Sequence, residues 1–151
     1  MAIRSILVAD DMLEVSQGAL DEAVKLAQMA RAKLTIVTVV SVISPSFGVP
    51  VPMGNSFEVL LEAARKRLEA VKTQIQGQGI TDVETVLLEG DPVDRVVEYA
   101  EKHRPDLIVV GSRGLSATGR FLLGSVSDGI LHHAHCSVLV VKTLVRPHSP
   151  T

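Results

Sequence analysis

The stretch Leu107-Ile108-Val109-Val110-Gly111-Ser112-Arg113-Gly114, followed after nine residues by Gly124-Ser125, decides how this chain is read. A short apolar run ends in glycine, and a helical pattern opens near Val126. Glycines at those points let the backbone approach a ligand closely. A loop that feeds a helix N-terminus gathers free N–H groups and the positive end of the helix dipole, a combination suited to a phosphate group.

The same alternation extends outward in both directions. Ile3 to Ala9 reads as a buried strand that ends at Asp10-Asp11, and Leu20, Ala23, Val24 and Ala27 then recur on one helical face. Leu34 to Val40 is nearly apolar on both faces, as suits a parallel strand covered by helices. Ser41 to Asn55 carries Pro45, Pro50 and Pro52 with Gly48 and Gly54, and reads as a long surface loop. Leu60, Ala64, Leu68, Val71 and Ile75 mark a second helix, closed by Gly77 and Gly79, and Val83 to Leu88 a third strand. Asp91-Pro92 supplies an N-cap and a first-turn proline for a helix with Val93, Val96, Val97 and Ala100 inward, which Pro105 stops. Leu107 to Val110, Ser125 to Ala134 and Val138 to Val141 complete the series as strand, helix and strand. Strands alternating with helices in this way predict one α/β domain, an open five-stranded parallel sheet with helices on both faces. The domain is expected over residues 2–143, with a flexible tail at 144–151.

Composition narrows the function. With no Trp and 3% aromatic residues, the core must be built from Val, Leu, Ile and Ala. A net charge of −2 with no long basic run argues against a nucleic-acid surface. No window is apolar for long enough to span a membrane, and the N-terminus reads as a strand rather than a signal peptide. Cys136 is the only cysteine, which excludes an internal disulfide and makes the cytoplasm the default address.

In open α/β sheets ligands sit beyond the carboxyl ends of the strands, where the winding reverses. With the first strand central, in the order 3-2-1-4-5, the reversal falls between strands one and four. Ala9-Asp10-Asp11 would then face the glycine loop across a crevice, carboxylate toward ribose hydroxyls and loop N–H groups toward phosphate. No G-x-x-x-x-G-K-[ST] loop is present, and the dinucleotide fingerprint would be expected after the first strand.

Gly111, Gly114, Gly124 and Ser125 match without a gap the pattern G-x2-G-x9-G-[S/T], and on that pattern the chain resembles the ATP-binding branch of the universal stress proteins. The likeness runs from Ile6 through Lys142 and includes Gly90-Asp91-Pro92 and His133-Ala134-His135-Cys136-Ser137-Val138. The resemblance implies a Rossmann-like, homodimeric regulatory protein of the stress response that binds ATP, or AMP or ADP. By the same resemblance Asp11 contacts ribose and the Val39 backbone contacts adenine. Ser112, Arg113 and Gly114 line the phosphates, and Ser125, Val126 and Ser127 close the helix side. The homodimer would pair through the last strand, Val138, Leu139, Val140 and Val141. The chain differs from the common pattern in two places: Asp11 is followed by Met12-Leu13 rather than Gly-Ser, and Thr38 stands where His is frequent.

Several of these residues also suit other roles. Asp11 also suits a helix cap, and Ser125 with Asp128 a capping box. His132, His133 and His135 sit at a helix C-terminus, where they interact with the dipole, and are not assigned to a metal. Cys136 reads as a small buried residue. Asp10 and Asp11 alternate in direction, so they make no acid–base pair, although either could hold Mg2+ beside the phosphates and allow slow hydrolysis. An adenylylating enzyme would need a Ser-Gly-Gly loop or a His-x-Gly-His signature, and neither occurs. A ligand-free scaffold would be expected to have lost the glycines.

Overall fold

In the computed structural model, which describes residues 2–11, 17–41, 55–112 and 123–142, the buried residues Ile6, Leu7 and Val8 make β1 (Ser5–Ala9) apolar on both faces. A strand of that kind belongs at the centre of a sheet. The remaining elements are α1 (Gln17–Ala30), β2 (Lys33–Val40), α2 (Asn55–Gly77), β3 (Val83–Glu89), α3 (Pro92–His103), β4 (Leu107–Ser112), α4 (Ser125–His133) and β5 (Ser137–Lys142). The five strands are parallel in the order β3-β2-β1-β4-β5, as expected from the sequence.

Alternation along the strands divides the core into two layers. Ile6, Val8, Leu34, Ile36, Leu107 and Val109 pack with Ala23, Ala27, Leu68 and Ile75 of α1 and α2. Leu7, Val37, Ile108 and Val110 pack with Val96 and Ala100 of α3 and Ile130 of α4. At the N-terminal edge of the sheet, the Asp106 carboxylate accepts from the backbone N–H groups of Arg4 (2.8 Å) and Ser5 (3.0 Å), while its own N–H donates to the Ser5 carbonyl. These bonds set β1 against β4.

The α3 cap forms as the sequence predicts. Asp91 is the N-cap and accepts from the Asp94 N–H at 3.0 Å, Pro92 is the first helical residue, and the helix ends before Pro105 with Arg104 left-handed at φ 49°. Gly90, at φ 132°, makes the turn from β3 into that cap, a conformation L side chains rarely adopt.

Several expectations need correction. Gly111 and Ser112 belong to β4 and not to a loop, because β5 supplies parallel partners for both, Val141 and Lys142. Asn55 already lies in α2. Leu60 is 42% exposed. The inward stripe of α2 runs through Leu61, Ala64, Leu68, Val71 and Ile75, since consecutive steps of four drift about 40° each on a 3.6-residue helix and a step of three is needed to correct them. Gly124, not Ser125, is the N-cap of α4, and no side chain caps that helix. The expected loop between residues 42 and 54 and the expected tail from residue 144 lie outside the described residues.

Candidate functional site

Ala9, at the end of β1, is in register with Val37 of β2 and Val110 of β4. The chain leaves β1 toward α1 in one layer and leaves β4 toward α4 in the other. A gap therefore opens beyond the strand ends between β1 and β4, the switch point of an open sheet. A cavity of about 270 Å3 occupies it.

Its floor is apolar: Ala9, Val37, Val39 and Val110 from the strands, with Pro92 and Val96 from the start of α3. Its polar side is formed by Asp10 and Asp11 after β1, Gly111 and Ser112 at the end of β4, and Gly124, Val126 and Ser127 at the start of α4. The first turn of a helix leaves N–H groups without intrahelical partners, and here the N-cap glycine supplies no side chain to take them. The Ser127 hydroxyl donates to the Gly111 carbonyl, which joins α4 to β4 at the cavity wall. The Ser112 hydroxyl, in a residue 1% exposed, has no hydrogen-bond partner among the described residues. A buried polar atom in that condition is costly unless something met in the cavity satisfies it.

Of the residues expected from the sequence, Ala9, Asp10, Asp11, Val39, Gly111, Ser112, Gly124, Val126 and Ser127 surround this one cavity. Ser125 is exposed and does not line it. Arg113 and Gly114 lie outside the described residues. Val37, Pro92, Val96 and Val110 were missed. Val37 and Val110 follow from the register with Ala9, and Pro92 belongs to the Gly90-Asp91-Pro92 segment, which had been noted only as a helix start and a point of likeness.

The two aspartates both border the cavity but differ in burial. Asp10 is 4% exposed, and its carboxylate is held by the Arg67 guanidinium of α2: Nη1 meets Oδ2 and Nη2 lies 3.3 Å from Oδ1. Thr38 Oγ1 lies 3.5 Å from Oδ2. Asp11 is exposed at the cavity rim. Nothing in the sequence singled out Arg67, which follows Arg65 and Lys66 on a helix rich in charge.

A second, open cleft between α3 and α4 is lined by Asp94, Glu98 and Glu101 with His132, His133 and His135. His135 Nε2 is 3.1 Å from Glu101 and His132 Nδ1 is 3.3 Å from Asp128 one turn earlier, so two of these histidines have acidic partners. No group of three or more His, Cys, Asp or Glu among the described residues is placed to hold a metal. Cys136 is half-buried, and burial, with the Asp106 carboxylate, pushes its thiol pKa above the usual value.

The fold and cavity define a doubly wound α/β protein with a candidate ligand site at its switch point. The model of the universal stress protein family matches residues 2–142. The chain is 37% identical over 141 residues to a universal stress protein of Methanocaldococcus jannaschii, covering 92% of this chain and 82% of that one. Among solved structures it is similar to a universal stress protein from Lactobacillus plantarum, with 29% identity, a TM-score of 0.69 and coverage of 93% and 99%. It is also similar to a universal stress protein solved in complex with cAMP, with 30% identity, a TM-score of 0.66 and coverage of 95% and 99%. This chain belongs to the universal stress protein family.

Proposed function

We propose that this protein binds an adenine nucleotide, ATP foremost, in the switch-point cavity and acts as a homodimeric regulator of the stress response. The observation that carries the reading is the convergence of the β1, β2, β4 and α4 ends, with an apolar floor and an anion-suited wall, on one cavity. The related structure that holds cAMP supports it. In this reading the base lies over Val37, Val39 and Val110 with its edge at the Val39 backbone, and Asp11 accepts from a ribose hydroxyl. The phosphates reach Gly111, Ser112 and the first turn of α4, with Arg113 and Gly114 completing the motif. Asp11, at the cavity rim, would meet Mg2+, a hard cation that binds through one or two carboxylates and substrate phosphates. With no acid–base pair among the described residues of the cavity lining, hydrolysis would be slow at most. The edge position of β5, with Val138 to Val141 half-buried, suits pairing with a second copy, which would cover an open strand edge.

Protein purified without added nucleotide is to be denatured and the released small molecules identified by mass spectrometry, with calorimetric titration of ATP, ADP and AMP onto emptied protein. One adenine nucleotide per chain is expected. Empty protein that takes up none of the three would overturn the reading.

A further inference from the structure

We infer that Arg67 is a positioning residue for the ligand site: by clamping the Asp10 carboxylate it holds Asp11 toward a ribose at the cavity rim. The inference rests on the nucleotide reading above. Asp10 is the first residue past β1, where the chain would be free to turn in either direction. It is fixed twice. Its N–H donates to the Val37 carbonyl at 2.9 Å, which continues the ladder one step beyond the strand. Its carboxylate, fully buried as a side chain, is met by both Nη atoms of Arg67, a fork that sets orientation as well as distance. Successive side chains on an extended backbone point to opposite faces. By that alternation Asp10 is directed with Thr38 to the α2 layer, where Arg67 waits, and Asp11 to the layer of Pro92 and Val96, while both residues border the cavity. A slip of one residue would exchange the two aspartates and bury the one that should meet the ligand. The guanidinium also neutralises one of two adjacent carboxylates beside an anion-suited wall.

The test compares ATP with 2′,3′-dideoxy-ATP by calorimetry on wild-type protein, Arg67→Met and Arg67→Lys, with thermal denaturation of each. A hydrogen bond from a sugar hydroxyl to a carboxylate should make wild-type protein prefer ATP by roughly tenfold or more. Arg67→Met should bring that preference to within about twofold and leave dideoxy-ATP affinity nearly unchanged, and Arg67→Lys should recover part of it. General loosening of the fold would weaken both ligands together. Should Arg67→Met not fold, Asp10→Asn/Arg67→Met removes both charges and should show the same lost preference. A preference retained in the folded variant would overturn the positioning role. Wild-type protein that binds both ligands equally would also overturn it while leaving the nucleotide reading intact. Wild-type protein that binds neither would overturn both.

Discussion

Gly129 of α4 lies so close to Val93 of α3 that a Cβ at position 129 would stand 2.8 Å from Val93 Cγ2 and 2.9 Å from Cγ1. The two helices therefore meet with one valine filling the place of the missing side chain, and Pro92 and Val126 on either side of that contact reach the cavity. Gly129→Val should destabilise the protein by about 1–3 kcal/mol through overpacking. Val93→Ala in the same chain should recover most of that loss, and denaturant titration of the two single variants and the pair gives the coupling directly. Additive effects would mean that the contact does not set the helix spacing.

At the opposite end of the sheet Asp106 serves the fold and not the site. Its Oδ2 takes two backbone N–H bonds that hold the start of β1 to β4. Asp106→Ala should cost about 2 kcal/mol in urea unfolding, because bonds to a charged acceptor are worth more than neutral ones. ATP affinity should stay within about twofold of wild type, a difference of less than ~0.5 kcal/mol. A large loss of affinity would show that the two ends of the sheet are coupled.

How much of this was legible in the sequence depends on what each residue needed in order to be read. The strands and helices themselves followed from apolar runs such as Leu34–Val40 and from the Asp91-Pro92 start of α3, which are local signals, whereas the strand order rested on taking the first strand as central, as the sheet bears out. Gly111 and Ser112 looked like loop because glycine disfavours strand, yet pairing with β5 keeps them in the ladder. Leu60 looked inward because steps of four imitate a helical face for one turn. The motif-bearing part of the cavity was visible, since glycines and the paired aspartates mark themselves. Val37, Val96 and Val110 were not, because a valine that lines a cavity is indistinguishable in sequence from one that fills a core. Arg67 was hidden for a related reason: the carboxylate it meets lies 57 positions away.

Burial raises the Cys136 thiol pKa, first by desolvation and then through the Asp106 carboxylate, since both disfavour the thiolate. The thiolate is the reactive form, so less of it is present at neutral pH than in an open cysteine. Alkylation of folded protein should be slow at neutral pH and rise to a midpoint above the ordinary thiol range. Asp106→Asn, which removes the neighbouring charge, should bring that midpoint down. A wild-type midpoint below the ordinary range would contradict the burial argument.

Gly124 separates ligand binding from stability most cleanly. Its backbone, at φ −64° and ψ 154°, is open to any residue, so glycine is not there to relieve strain. What glycine does is leave the first turn of α4 without a side-chain cap at the cavity wall. Asparagine is a preferred N-cap, and its side-chain oxygen accepts from the second or third N–H of the helix. In Gly124→Asn that oxygen would occupy the groups proposed to meet phosphate. Thermal stability should hold or rise by about a few tenths of a kcal/mol. ATP affinity should fall by roughly tenfold or more, the equivalent of one lost charge-assisted bond. Adenosine, which carries no phosphate, should lose little, and the proposed dimer, measured by light scattering, should persist. Equal losses for ATP and adenosine would place the phosphates elsewhere, because a cap that competes only for anion-binding N–H groups has nothing to take from a bare nucleoside.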